Sequence, residues 1–258
     1  MSVLDSIIEG VREDLAARRL PMSQLLEALE ISTPVKDCLP ALLTDDISVI
    51  AEVKRASPSK GDLAPITDPA ALAAQYEEAG AAVISVLTEQ RRFGGTLADL
   101  DLVRKAVKVP VLRKDFMVDE YQFYEARAHG ADVVLLIVAA LSKNQLEDFF
   151  LLSKELGMRA LIEVHTPSEL ESALEISPEI VGVNSRNLKT LDVDTSAFAQ
   201  LIPQIPRSIA RVAESGISSR ADVEFAQEHG ATAILVGEAL VRSRNPNVAM
   251  AQLLGRLA

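Results

Sequence analysis

Residues 47–61 read ISVIAEVKRASPSKG. The first half is an apolar, β-branched run of the kind found in parallel strands buried on both faces, yet it carries Glu52 and Lys54 near its C-terminal end. Two residues apart on a strand, their side chains share one face. With Val49 and Ala51 on the opposite face, the charged pair is directed into the interior or the mouth of whatever the strand builds. Taking an ion out of water costs roughly several kcal/mol, so such a pair calls for a partner or a ligand. The stretch then breaks into RASPSKG, a hydroxyl-rich, basic loop around Pro58 and Gly61 that cannot continue a strand. A carboxylate, an amine and hydroxyls therefore gather where a strand ends. Taken alone, the pair could simply satisfy itself at a sheet edge, so the rest of the chain has to decide.

Beyond this stretch, short apolar runs alternate with longer helical patterns. The runs are ISVIAEVK, AAVISVLT, VPVLRKD, DVVLLIVA, RALIEVH, EIVGVNS, ARVAES and TAILVG. Eight such strands separated by helices predict an α/β protein, a single (β/α)8 TIM barrel, ahead of an open doubly wound sheet. The helices are expected over 69–80, 97–107, 120–129, 143–156, 167–176, 196–201, 220–229 and 246–257, several with clear caps: Asp68 before Pro69, Thr166 before Pro167, and Ser142 ahead of Gln145. EAGAAVISVLT, AHGADVVLLIV and EHGATAILVG repeat one order of helix end, glycine turn and buried strand, with Gly80, Gly130 and Gly230 where a helix C-terminus favours a left-handed residue. Before the first strand, Leu4, Ile7, Ile8, Val11 and Leu15 recur at helical spacing, and 22–30 repeats the pattern on a smaller scale. We therefore expect one domain over 1–258, with a helical extension at 1–45 that packs on the barrel (46–258) and closes one of its ends.

Composition limits the function classes. Hydrophobic residues make up 48% and charged ones 24% of the 258 residues, the balance of a globular protein. The net charge of -11 argues against nucleic acid or an anionic membrane as the main partner. A single cysteine, Cys38, excludes an internal disulfide and reads as structural, and the scattered His129, His165 and His229 give no metal-ligand spacing. No signal-peptide pattern or apolar run of about 18 residues is present, so a cytoplasmic protein is expected.

In a parallel barrel the C-terminal strand ends form one mouth where reactive groups collect. Those ends carry Glu52 and Lys54, Lys114, Glu163, Asn184, Glu214 and Ser215, then Gly237. In VPVLRKDF, Leu112 and Lys114 share a face, while Arg113 and Asp115 take the other and can pair outside the pocket. A lysine among apolar walls and other cations is expected to have a lowered pKa and to serve as a general acid near neutrality. Glu163 is pulled two ways, upward by burial and downward by Lys54 or Lys114. His165 shares its strand parity, but Thr166 and Pro167 suggest that the chain has already turned, so it reads as structural. Arg186 offers a planar fork for a carboxylate, and Asn184 can orient a hydroxyl or carboxyl. AESGI and LVGEAL follow the last two strands, where barrels often hold phosphate on backbone N–H groups; Ser215, Gly216 and Gly237 are the candidates, with Glu238 placed so that its carboxylate must turn away.

The signature VIAEVKRASPSKG resembles the first strand of the indole-3-glycerol-phosphate synthase family, and VPVLRKDF, ALIEVH, VGVNSRNLKTL, AESGI and LVGEAL continue the match over most of residues 47–242. The resemblance implies an enzyme that converts 1-(2-carboxyphenylamino)-1-deoxyribulose 5-phosphate to indole-3-glycerol phosphate, releasing carbon dioxide and water, with no metal or organic cofactor. It implies catalytic roles for Lys114, Glu163, Lys54, Glu52, Asn184 and Glu214, and substrate contacts from Ser57, Phe93, Phe116, Leu135, Arg186 and Leu188. Phosphate contacts are implied for Lys54, Ser215, Gly216, Gly237 and Glu238. Ser185 departs from an asparagine common in the family and is given no role. The expected partner is the small sugar-phosphate/anthranilate substrate, with no nucleic acid or membrane, in a monomer or weak homo-oligomer. Two alternatives stand beside it. Phosphoribosylanthranilate isomerase would want a cysteine at the end of strand one, where this chain has Glu52 and Lys54; a non-catalytic sugar-phosphate-binding barrel would not need both Lys114 and Glu163.

Overall fold

The computed structural model describes residues 2–188, 190–243 and 245–256. Eight parallel strands close into a barrel: β1 (Ser48–Val53), β2 (Val83–Leu87), β3 (Val111–Lys114), β4 (Val133–Ile137), β5 (Arg159–Val164), β6 (Ile180–Asn184), β7 (Ala210–Glu214) and β8 (Ala233–Val236), with β8 pairing back onto β1. The anticipated fold class is therefore present. Strand parity decides what each face holds. Ile50, Leu112, Leu161 and Val212 point into the barrel, whereas Val49, Ala51, Val53 and Val134 pack outward under the helices.

Three helices precede β1: α1 (Val3–Arg18), α2 (Met22–Glu30) and α3 (Leu39–Leu42). Those on the barrel wall are α4 (Pro69–Glu78), α5 (Gln90–Phe93), α6 (Leu97–Ala106), α7 (Tyr121–Ala128), α8 (Lys143–Glu155), α9 (Pro167–Glu175), α10 (Ser196–Leu201), α11 (Arg220–Glu228), α12 (Glu238–Val241) and α13 (Pro246–Leu253). The caps explain why their starts were legible. Asp68, Ser142 and Thr166 each accept a hydrogen bond from a first-turn backbone N–H. The expected end of the last helix at residue 257 lies outside the described residues; within them α13 stops at Leu253.

The extension does more than close one end. Leu4 and Ile7 of α1 reach the mouth of the barrel, and α2 packs along α7. The connection to α3 then brings Cys38 and Leu42 beneath the lowest inward layer of Ile50, Val83, Leu112, Val133, Leu161 and Ile180. Cys38 is fully buried there, and burial pushes its thiol up to about 12, so it is a floor residue with no reactive character. A buried ionic knot holds α1 and α7 to the wall. Arg113, with no exposed surface, donates to Asp115 and meets Glu125 at 2.9 Å, and Glu125 in turn accepts from Arg18. The expected pairing of Arg113 with Asp115 is thus observed, but Asp115, expected outside the pocket, also borders the cavity at the strand ends. No helix among the described residues is long and apolar enough to cross a membrane.

Candidate active site

The C-terminal strand ends open onto a cavity of about 540 Å³. Every residue singled out from the sequence for the site lines it: Glu52, Lys54 and Ser57; Phe93; Lys114 and Phe116; Leu135; Glu163; Asn184, Arg186 and Leu188; Glu214, Ser215 and Gly216; Gly237 and Glu238. On β1, β3, β5, β6 and β7 inward parity and a polar residue at or near the strand end coincide, whereas β2, β4 and β8 bring Phe93, Leu135 and Gly237.

At the centre lies a ring of charge. Lys54 Nζ is 2.8 Å from Glu52, while Lys114 Nζ is 3.2 Å from Glu163 and 3.4 Å from Glu214. Burial alone would lower the pKa of Lys114, but Glu163, Glu214 and Glu52 together outweigh it and hold the ammonium above its ordinary value. This corrects the expectation of a lowered pKa. The groups that gather around Lys114 from β1, β5 and β7 are carboxylates, and a cation in their midst is stabilised. The same attraction keeps Glu163 ionised despite its burial, with Lys114 the main cause and His165 and Asn184 assisting. Glu214 goes the other way. Burial raises its pKa, the attraction of Lys114 only partly offsets this, and repulsion from Glu163 and Glu52 carries it to about 8. Glu214 is therefore the carboxyl of the ring that favours its protonated form at neutral pH.

Room for Glu214 depends on Gly182, an inward position on β6. A Cβ built there would lie 2.0 Å from Glu214 Oε1, nearer than any real contact. We expect Gly182→Ala to cost about 1–3 kcal/mol of stability through overpacking and to push the carboxyl against Lys114. A urea midpoint equal to that of the parent protein would refute this reading of the glycine.

One wall of the cavity is apolar. Phe93 and Phe116 pack with ring centroids 6.2 Å apart, and Leu135, Leu188, Leu4 and Ile7 extend the surface. Arg186 Nη1 donates to Ser59 Oγ and to the Leu191 carbonyl, both at 3.0 Å. Asn184 Oδ1 accepts from the Arg186 backbone N–H and its amide supports Glu163, so its orienting role is exercised on a protein carboxylate. The loop after β1 folds back on itself, with Ala56–Ser57 antiparallel to Gly61–Asp62. It leaves the Ser57 hydroxyl buried without a hydrogen-bond partner, as an atom awaiting a ligand would be.

The loops after β7 and β8 are neighbours in the ring. Ser215 and Gly216 both adopt positive φ (64° and 73°), a tight turn that Ser185 secures by donating to the Ser215 carbonyl; the residue without an assigned role thus joins two site loops. Glu238 meets Arg242 at 3.3 Å, and both side chains line the cavity. A Cβ at Gly237 would approach Glu52 Oε1 at 2.9 Å, so this glycine also protects the Glu52–Lys54 pair.

A family model described as indole-3-glycerol phosphate synthase matches residues 4–253. The chain belongs to the indole-3-glycerol phosphate synthase family. Among curated members, the indole-3-glycerol phosphate synthase of Paenarthrobacter aurescens (strain TC1) is 56% identical, with 95% of this chain and 93% of that protein aligned. That of Kineococcus radiotolerans is 58% identical over 98% of this chain and 95% of its own length. Solved structures with TM-scores of 0.66 and 0.61, a 3-hexulose-6-phosphate synthase and a thiamine phosphate pyrophosphorylase from Pyrococcus furiosus, are only 14% and 15% identical. They cover 82% and 84% of this chain and are matched along their whole length, which shows a common barrel fold alone. Beside these family motifs the structure adds residues that the sequence did not single out for the site. Leu4 and Ile7 come from the extension, Ser59 holds Arg186, and Gly182 makes space for Glu214. His165, read as purely structural, lies 3.3 Å from Glu163.

Proposed function

We infer that this chain closes the indole ring, converting 1-(2-carboxyphenylamino)-1-deoxyribulose 5-phosphate to indole-3-glycerol phosphate with loss of carbon dioxide and water. It is a carbon–carbon lyase of tryptophan biosynthesis. The observation that carries the reading is the Lys114–Glu163 pair, a charged acid and an ionised base 3.2 Å apart at the base of a cavity with one apolar wall. As the anthranilate ring carbon attacks the ketone, the ketone oxygen becomes far more basic than an amine, so transfer from Lys114 runs downhill even though its pKa is raised. The same charge stabilises the developing oxyanion. Carbon dioxide then leaves and the ring regains its aromaticity. In the dehydration Glu163 takes the proton from the carbon that joins the new double bond, and Lys54, held by Glu52, faces the leaving oxygen and the phosphate. Assay of the synthetic substrate by indole absorbance tests this; a folded protein with no turnover would overturn it.

The remaining contacts divide by chemistry. Phe93, Phe116, Leu135 and Leu188 hold the aromatic ring, Ser57 offers a hydroxyl, and Ser215, Gly216, Gly237 and the Glu238 backbone hold the phosphate with Lys54. Arg186 takes the anthranilate carboxylate as a bidentate partner. Arg186→Ala is expected to weaken binding of the carboxylated substrate about tenfold or more, at roughly 1.5–3 kcal/mol for a hydrogen bond to a charged group, and to leave a decarboxylated analogue nearly unaffected. Equal losses for both ligands would remove the assignment. The expected state is a monomer or weak homo-oligomer, and residues 1–45 act with the barrel as one unit because α1 shares the cavity.

A further inference from the structure

The phosphate site given above contains a conflict of charge. Ser215, Gly216 and Gly237 receive the anion together with the backbone of Glu238, and the side chain of Glu238 brings a carboxylate to the wall of the same cavity. A phosphate monoester carries about two negative charges at neutral pH, and like charges that share a partly enclosed site repel more strongly than they do in water. Lys54, the one cation already assigned to the phosphate, is 2.8 Å from Glu52 and shared with it. A further positive group is needed beside residue 238.

Arg242 stands in that place. Among the described residues, five cations line the cavity: Lys54, Lys60, Lys114, Arg186 and Arg242. Lys114 faces Glu163 and Glu214. Arg186 is assigned to the substrate's carboxylate and is held by Ser59, which Lys60 follows in the chain. Arg242 caps the C-terminal end of α12, and its backbone N–H donates to the Glu238 carbonyl at 3.1 Å. One helical turn thus sets the two side chains on one face, and a helical side chain leans back toward the start of its helix, here toward Gly237.

The contact between the two is loose. Arg242 Nε lies 3.3 Å from Glu238 Oε1, the arginine side chain is half-exposed, and no described residue accepts a hydrogen bond from its guanidinium. A guanidinium is a planar fork with more than one edge to offer, and the edge away from Glu238 is unspent. Exposed pairs at this spacing contribute little to stability, yet this one is lodged on a cavity wall beside the loops assigned to an anion. We propose that Arg242 is a ligand of the substrate's phosphate, with its Nε edge kept on Glu238 and its Nη edge turned to the anion. Glu238 then orients the guanidinium and has its own charge cancelled by it, which removes the conflict at residue 238. The proposal rests on the phosphate assignment made above and adds a side chain to it.

The charges set the order of effects. Arg242→Ala removes a contact and also uncovers Glu238, so the anion loses a partner and gains a repelling neighbour. Glu238→Gln removes that repulsion together with the ionic hold on the guanidinium, and these two effects oppose each other. In the double variant the uncovered charge is gone, so part of the loss returns.

The test is inhibition by inorganic phosphate against substrate at fixed ionic strength, beside equilibrium binding of a reduced substrate analogue that lacks the phosphate. Arg242→Ala should raise the phosphate inhibition constant at least about tenfold, the order for hydrogen bonds between charged groups, and leave the phosphate-free analogue within about twofold. Glu238→Gln alone should stay within about threefold of the parent, as exposed pairs do. Adding it to Arg242→Ala should recover at least about threefold, a coupling that two independent sites do not show. Arg242→Lys keeps the charge without the fork and should recover only part of the loss. Unchanged phosphate inhibition in Arg242→Ala would overturn the proposal, as would equal losses for both ligands, additive single effects, or parent-like inhibition in Arg242→Lys. The underlying reading is separated by the parent protein: phosphate that does not compete with substrate there would strike the phosphate site itself, whereas phosphate that competes equally in the parent and in Arg242→Ala strikes only Arg242.

Discussion

Lys114→Met is expected to cut turnover by about a hundredfold to ten-thousandfold, the range for a lost general acid, while substrate affinity falls by less than about tenfold. Methionine keeps much of the stem volume but removes both the proton and the charge that meets the developing oxyanion. The groups assigned to the two anionic ends of the substrate, Arg186 at one and Ser215, Gly216 and Gly237 at the other, are untouched. Loss of the cation is felt by its neighbours. Glu163, held ionised chiefly by Lys114, and Glu214 both lose their nearest positive charge, so each binds a proton more tightly. Single-turnover indole formation and equilibrium binding of a reduced substrate analogue, measured on one folded sample, check the split. Near-normal chemistry would exclude Lys114 as the acid, and equal collapse of both quantities would make it a binding residue.

Glu163→Gln should be as damaging to turnover, again about a hundredfold to ten-thousandfold, and it should fall on the later half of the reaction. Lys114 remains to drive ring closure, but no base is left to take the proton from carbon, so a decarboxylated intermediate accumulates before indole appears. The substitution also changes Glu214. Burial and repulsion from Glu163 and Glu52 hold that carboxyl protonated up to about pH 8 against the pull of Lys114. With one repelling charge gone, its pKa falls and it ionises beside Lys114, 3.4 Å away. Infrared spectra at neutral pH should show a protonated buried carboxyl in the parent protein that is lost in Glu163→Gln. Retention of that band together with parent-like indole formation would contradict both the base assignment and the charge balance of the ring.

These expectations show how unevenly a sequence exposes a site. The strands, the caps and the inward parity of Glu52, Lys54, Lys114 and Glu163 were legible because each depends on spacing within a few residues. What depends on distance across the barrel was not. The sign of the Lys114 shift is set by carboxylates on β1, β5 and β7, far away in the chain. Gly182 in a strand reads as a weak spot until the carboxyl of Glu214 on the next strand is seen in the space it leaves. His165 was discounted because Thr166 and Pro167 begin a helix, and that helix start is what delivers Glu169 to its other side. The extension showed its amphipathic face in sequence, but Leu4 at the mouth and Cys38 at the floor have no local signal of where they dock.

That extension has a consequence for the order in which the protein forms. Many of its partners lie about a hundred residues further on: Glu125 for Arg18, the Tyr121 hydroxyl for the Leu20 N–H, Asp132 for the Lys36 N–H, and Leu161 and Ile180 above Cys38 and Leu42. During synthesis the first 45 residues find early partners in Ile50, Val83 and Arg91, but these other contacts wait until β3 to β6 have followed. A loop of about a hundred residues has to close before these contacts form, and such long-range closure is slow compared with pairing of successive βα units. The segment made before the barrel is therefore among the last parts of this unit to settle fully. Because it floors the barrel and roofs the cavity, a nascent chain acquires its wall before it acquires an enclosed site.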